Sequence, residues 1–240
     1  MENCREKEKL LNRSEQIKIH DSSTELMVAI LSHIVEVRNG ESGSHVQNIT
    51  YITEMLLRCL LDKTAKYDGI SGDIDTICAA ASFHDIGKMN VPVKILNKPG
   101  RLTPEEYEKV KTHCAVGEEM MNKLRGFQDE PLIRYCRQIC RWHHERWDGN
   151  GYPDGLAGDD IPIAAQVVSL ADVYDALTSE RCYKEAYSHE KAMEMIMNGE
   201  CGEFNPLLLE CLTDIEPQLR EIPTKTAAQS CDGVKTSPGL

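Results

Sequence analysis

Thr103-Pro104-Glu105-Glu106-Tyr107-Glu108-Lys109-Val110-Lys111-Thr112-His113 is the stretch from which the fold is read. Thr103 can serve as N-cap, Pro104 as the first helical residue and Glu106 as the reciprocal capping-box partner. The helix it opens is expected to reach Leu124 and to carry His113. Upstream, a helical period starts at Ser23, with Leu26, Ile30, Ile34 and Val37 recurring at spacings of three and four. A second helix is expected over 41–63, with Ile49, Ile52, Met55, Leu56 and Leu60 facing inward, and a third over 73–85. Downstream, a helix over 130–144 leads into a loop rich in Gly, Asp and Pro. Helices over 162–179, 188–198 and 206–215 follow. No strand alternation persists and no internal repeat is present, so the fold class is all-α, a helical bundle. A composition of 41% hydrophobic but only 5% aromatic residues also favours packed helices over a β-sandwich.

The 240 residues suffice for one good-sized domain. Residues 1–22 read as a charged leader or linker helix, 23–217 as the folded domain and 218–240 as a disordered tail. A net charge of −12 argues against binding a nucleic-acid polymer, which needs basic surface. It leaves room for a small anionic substrate, because bound metals invert the local field. No apolar run approaches the ~18–20 residues of a membrane span. The first thirteen residues lack the apolar core of a signal peptide. The expected location is therefore cytoplasmic, and the ten cysteines read as reduced, partly buried thiols. Cys136 and Cys140, four apart on one helix, have a spacing that could serve a metal; buried thiols are the better reading.

Five of eight histidines form an ordered, acid-flanked series: His45 after Glu41, His84 before Asp85, His113, and the pair His143-His144, with Asp172 beyond. Imidazoles and carboxylates are the ligands of divalent Fe, Mn, Zn or Ni. Five histidines and three carboxylates exceed one ion's capacity and point to two or three. Glu41 and His45 share a helix face at i, i+4. Neighbouring His84 and Asp85 can reach different ions, the carboxylate bridging them, while Gly87 would end the helix and Lys88 could meet a phosphate. His143 and His144 could feed separate metals or sit as cations at a helix C-terminus. Asp172 and Asp175 share a face in apolar surroundings; Asp172 reads as ligand, Asp175 as a residue orienting a histidine or an arginine.

Together His84-Asp85-Ile86-Gly87-Lys88, the stretch from His143 to Leu156 (HHERWDGNGYPDGL) and residues 171–188 (ADVYDALTSERCYKEAYS) resemble the HD-GYP family of HD-domain cyclic di-GMP phosphodiesterases. The resemblance covers about residues 25 to 212. It implies a helical bundle with a two- or three-metal centre, usually iron or manganese, that hydrolyses cyclic di-GMP to pGpG and GMP through a hydroxide shared between metals. The implied ligands are Glu41, His45, His84, Asp85, His113, His143, His144 and Asp172. Asp85 would bridge, and Glu41 would belong to a third ion. Lys88 would face the scissile phosphate, Arg181 and Lys184 would hold a substrate phosphate, and Tyr152 would frame a base or ribose. Gly151-Tyr152-Pro153 is the signature loop, implied to shape the site and to contact a signalling partner; a homodimer is also expected. Departures are Cys114 and Cys182 where proline is common, and Asn48 for an arginine. The cysteines are expected to be neutral for ligation, although they could make the site redox-sensitive. The rival readings are a receptor that binds the dinucleotide with little turnover, a hydrolase of another dinucleotide such as cyclic GMP-AMP, and a diiron oxygenase.

Overall fold

A computed structural model describes residues 26, 28–31, 33–38, 44–179 and 186–222. Helices account for all regular structure among them. Helical residues 26, 28–31 and 33–38 form α1. Then follow α2 (His45–Lys63), α3 (Ile74–Ala81), α4 (Val93–Leu96), α5 (Pro104–Lys111) and α6 (His113–Asn122). The chain continues through α7 (Pro131–Trp142), α8 (Ile163–Thr178), α9 (His189–Met197), α10 (Pro206–Asp214) and α11 (Glu216–Leu219). A 3-10 turn, Ile86–Asn90, lies between α3 and α4.

Helix α8 is the axis of the bundle. Ala164, Ala165, Val167, Val168, Leu170 and Ala171 are fully or almost fully buried, so apolar residues encircle it and α2, α7 and α9 can pack close. On α2, Ile49, Ile52, Leu56 and Leu60 are buried as the periodicity requires, Leu57 joins them, and Met55 is only partly buried. Each such side chain contributes about 1.5–3 kcal/mol of transfer free energy. No helix among the described residues is long and apolar enough to cross a membrane.

Several boundaries differ from the sequence reading, each for a physical reason. The capping box forms: Thr103 Oγ1 accepts the Glu106 N–H at 3.2 Å, and Glu106 Oε2 accepts the Thr103 N–H at 2.8 Å. The helix it opens breaks at Thr112, whose hydroxyl donates to the Lys109 carbonyl at 2.7 Å, and His113 starts a new helix. Helix α3 stops at Ala81, leaving His84 and Asp85 in a turn. Gly87 is not a helix stop: a Cβ there would lie 1.9 Å from the His113 carbonyl oxygen, so glycine permits the 3-10 turn to press on α6. Helix α7 ends at Trp142, just ahead of the histidine pair. At the other end, α11 (Glu216–Leu219) runs past residue 217, where the folded domain was expected to end, and Leu219 is 2% exposed.

Helix α1 turns its periodic residues outward: Leu26, Ile30, Ile34 and Val37 are exposed while Glu36 is buried. Polar anchors hold it. Glu36 Oε1 accepts the Val46 N–H at 2.8 Å and Arg38 donates to the Met89 carbonyl at 2.9 Å.

Candidate metal centre

Five helical elements deliver their polar side chains to one buried point. Helix α2 brings His45, the turn after α3 brings His84 and Asp85, and the start of α6 brings His113. The end of α7 brings His143 and His144, and α8 brings Asp172 and Asp175. Two groups of donors result: His45, His84 and Asp172, and His113, Cys114, His143 and His144. Within each group the donor atoms lie within 4.8 Å of one another. Both members of the histidine pair therefore join His113, rather than dividing between the groups. Glu41, Arg181 and Lys184 lie outside the described residues.

The backbone sets the imidazole tautomers. Nδ1 of His84 donates to the Ala81 carbonyl at 2.9 Å, Nδ1 of His113 to Val110 at 2.7 Å, and Nδ1 of His143 to Ile139 at 2.8 Å. A carbonyl can only accept, so each of these Nδ1 atoms carries the proton and each Nε2 carries the lone pair that a metal accepts. Nδ1 of His45 is held by Asp175 Oδ2 at 2.6 Å, and Asp175 Oδ1 accepts from Asn48 (2.7 Å) and Ser179 (3.1 Å). His113 Nε2 and His143 Nε2 consequently face each other at 3.4 Å, two lone pairs that require a cation or a shared proton.

Asp85 lies between the two groups. Its Oδ2 is 3.3 Å from His84 Nε2 and ion-pairs with Lys88 Nζ. Its Oδ1 is 3.2 Å from His113 Nε2 and 3.9 Å from His143 Nε2, and that buried oxygen accepts no hydrogen bond among the described residues. Asp172 Oδ1 is 3.8 Å from His45 Nε2 and 4.0 Å from His84 Nε2. Burial alone would raise the Asp85 pKa, but the Lys88 ammonium beside it outweighs this and holds the carboxyl well below the usual range. Burial lowers the pKa of His113, His143 and His144, so these rings are neutral, the form a metal accepts. An orphaned carboxylate oxygen, opposed imidazole lone pairs and an N/O donor set fit divalent transition metals.

Two expected outcomes follow from these contacts. Asp175→Ala leaves His45 without its orienting carboxylate and should weaken metal affinity about 10–100-fold, as read by chelator competition. Acidification should also destabilise the protein. Unfolded histidines take up protons from about pH 6.5, whereas these buried ones resist. Stability is therefore present above about pH 6.5 and is lost as pH falls below it, the unfolded state binding more protons. Thermal scans from neutral pH downward should show a falling Tm; a Tm that rises instead would contradict the sign.

The loop after His144 is tied from below by Glu145, a buried carboxylate to which the sequence assigned no role. It accepts the N–H groups of Asp154 (2.7 Å), Gly155 (3.1 Å) and Leu156 (3.1 Å). Asp154 in turn accepts from Arg141 at 2.7 and 2.8 Å and from Trp142 Nε1 at 2.8 Å. Gly151 is needed because a Cβ would lie 2.4 Å from Glu145 Cα and from the Arg146 nitrogen. Tyr152 then stacks on His144, ring centroids 4.7 Å apart, and its peptide to Pro153 is cis. Nothing in residue spacing discloses Glu145, since its partners are main-chain groups. Glu145→Ala should cost about 1–3 kcal/mol by leaving those N–H groups unmatched. The denaturant midpoint checks this, with faster hydrogen exchange at 154–156.

Comparison with known proteins agrees with this architecture. The HD domain family model matches residues 29–204. A Vibrio cholerae protein named "Probable cyclic di-GMP phosphodiesterase" is 37% identical over 95% of this chain and 54% of its own length. A second from the same organism, "3'3'-cGAMP-specific phosphodiesterase 2", is 35% identical over 82% of this chain and 36% of its own. The solved structure of an HDG"Y"P protein from Bdellovibrio bacteriovorus superposes with TM-score 0.54 at 23% identity, covering 71% of this chain and 51% of that one; it bears on the fold alone. The chain thus belongs to the HD domain family. It spans about half the length of the first of these relatives, and less of the second.

Proposed function

We propose that this chain is the hydrolytic unit of a metal-dependent phosphodiesterase that opens cyclic di-GMP to pGpG and on to GMP. The observation that carries the reading is Asp85, one oxygen toward His84 and Lys88 and the other toward His113 and His143. His45, His84 and Asp172 would hold one ion, and His113, His143 and His144 a second, with Asp85 shared; Glu41 would serve a third. Iron or manganese is the expected metal. When bound, such ions polarise phosphoryl oxygens and lower the pKa of a water.

The chain's own residues supply the rest. Lys88, held beside Asp85, presents its ammonium to a non-bridging phosphoryl oxygen. Arg181 and Lys184 anchor the second phosphate. Tyr152, stacked on His144, walls the site for a base or ribose. Asp175 and the three main-chain carbonyls hold the imidazoles in one tautomer throughout. The whole protein would work in the cytoplasm, with the Gly151-Tyr152-Pro153 loop facing a signalling partner and with homodimerisation available.

A second substrate has specific support: the relative whose name specifies 3'3'-cGAMP is nearly as similar as the one named for cyclic di-GMP. Parallel incubations with both dinucleotides, with products resolved by chromatography, decide between them. Faster cleavage of cyclic di-GMP supports the first reading, faster cleavage of 3'3'-cGAMP the second. Tight binding without product would move the assignment to a receptor.

A further inference from the structure

Cys114 stands among the imidazoles of the second donor group, fully buried, directly after His113. Its Sγ lies 3.5 Å from His113 Nε2, the nitrogen left without a proton by the bond from Nδ1 to Val110. His143 Nε2 lies 3.4 Å from that same nitrogen. Tetrahedral coordination with metal–nitrogen bonds of about 2.0–2.1 Å and a metal–sulfur bond of about 2.3 Å places nitrogens about 3.3–3.4 Å apart, and nitrogen and sulfur about 3.5–3.6 Å apart. Both separations match those edges. The buried Asp85 Oδ1, which accepts no hydrogen bond among the described residues, points into the same space from 3.2 Å away.

We propose that Cys114 is a ligand, adding a thiolate to the three imidazoles and the shared Asp85 carboxylate at the second ion. The inference rests on the metal-centre reading and deepens it. It also makes the two positions unlike in chemistry. His45, His84 and Asp172 offer nitrogen and oxygen only, a set open to manganese, whereas a thiolate favours zinc, iron(II) or cobalt(II) over manganese. The centre is thereby built for two different ions, the softer one beside the Tyr152 loop.

Cobalt(II) titration of the metal-free full chain under anaerobic conditions tests this. The expected result is a near-ultraviolet sulfur-to-cobalt charge-transfer band alongside visible d–d absorption. That band should be lost in Cys114→Ser and Cys114→Ala while the d–d absorption persists. In the same variants, manganese should displace zinc more readily. Cobalt bound with d–d absorption but no charge-transfer band in the unaltered chain would overturn the thiolate and leave the metal centre standing. So would an unchanged band in both variants. No cobalt binding at all would overturn the metal centre itself. Should the variants fail to fold, X-ray absorption at the zinc edge of the unaltered protein decides: one sulfur at about 2.3 Å supports the proposal, and a shell of nitrogen and oxygen alone overturns it.

Discussion

Asp85→Ala is expected to abolish turnover and to strip the centre of metal. The carboxylate is the group that reaches both donor sets, 3.3 Å from His84 and 3.2 Å from His113. It is also the anion that balances Lys88, and it is only 6% exposed. Removing it takes the negative charge out of a buried space lined by neutral imidazoles, which disfavours any cation entering there. Loss of one charge-stabilising group in a preorganised site costs about 10²–10³ in rate, and loss of the shared metal ligand adds to that. The rate should therefore fall by at least about 10³-fold. Product formation and metal content, measured on the same preparation, read the outcome. Full activity in the variant would remove the basis of the metal assignment. Asp85→Asn is the sharper companion: it keeps the size and removes the charge, and it should fail nearly as badly.

Gly87→Ala should damage fold and site together. The added methyl would meet the His113 carbonyl oxygen at 1.9 Å and the Gly117 nitrogen at 2.7 Å, both backbone atoms that no rotamer change can move. The 3-10 turn carrying Lys88 must then separate from the start of α6, which carries His113. Overpacking of this kind costs about 1–3 kcal/mol. The same displacement pulls Asp85 away from His113, so metal affinity should fall along with the denaturant midpoint. Gly126→Ala is a useful contrast, since a Cβ there has nothing within 4 Å, although its φ of +90° brings backbone strain alone. A Gly87→Ala protein with unchanged midpoint and metal content would show that the two segments do not press together.

Much of the fold was legible because apolar spacing reports burial. Ile49, Ile52, Leu56 and Leu60 mark α2, and Thr103 with Glu106 marks the start of α5. The donors were legible because metal chemistry restricts residue type: His45, His84, His113, His143 and His144 are ordinary in composition but concentrated in acid-flanked positions, and the chain folds them around one point. Other features depend on partners distant in sequence. The 3-10 turn after α3 presses Gly87 on His113, twenty-six residues away, a contact that residue spacing does not report. Asn48, standing where an arginine is common, uses its amide to bond Asp175, which holds His45. Cys136 and Cys140 are plain buried thiols, Cys140 donating to the Phe83 carbonyl at 3.2 Å, whereas Cys114 took its meaning from the nitrogens around it. Glu145 works on main-chain groups, which leave no signature in residue types.

The most direct test of Asp85 as the link between two ion-binding groups is metal per chain determined with turnover on one anaerobic preparation. The account predicts at least two divalent ions per unaltered chain, with pGpG or GMP formed from cyclic di-GMP, and loss of both ions and product in Asp85→Ala. Undiminished hydrolysis by a chain holding one ion or none would contradict it.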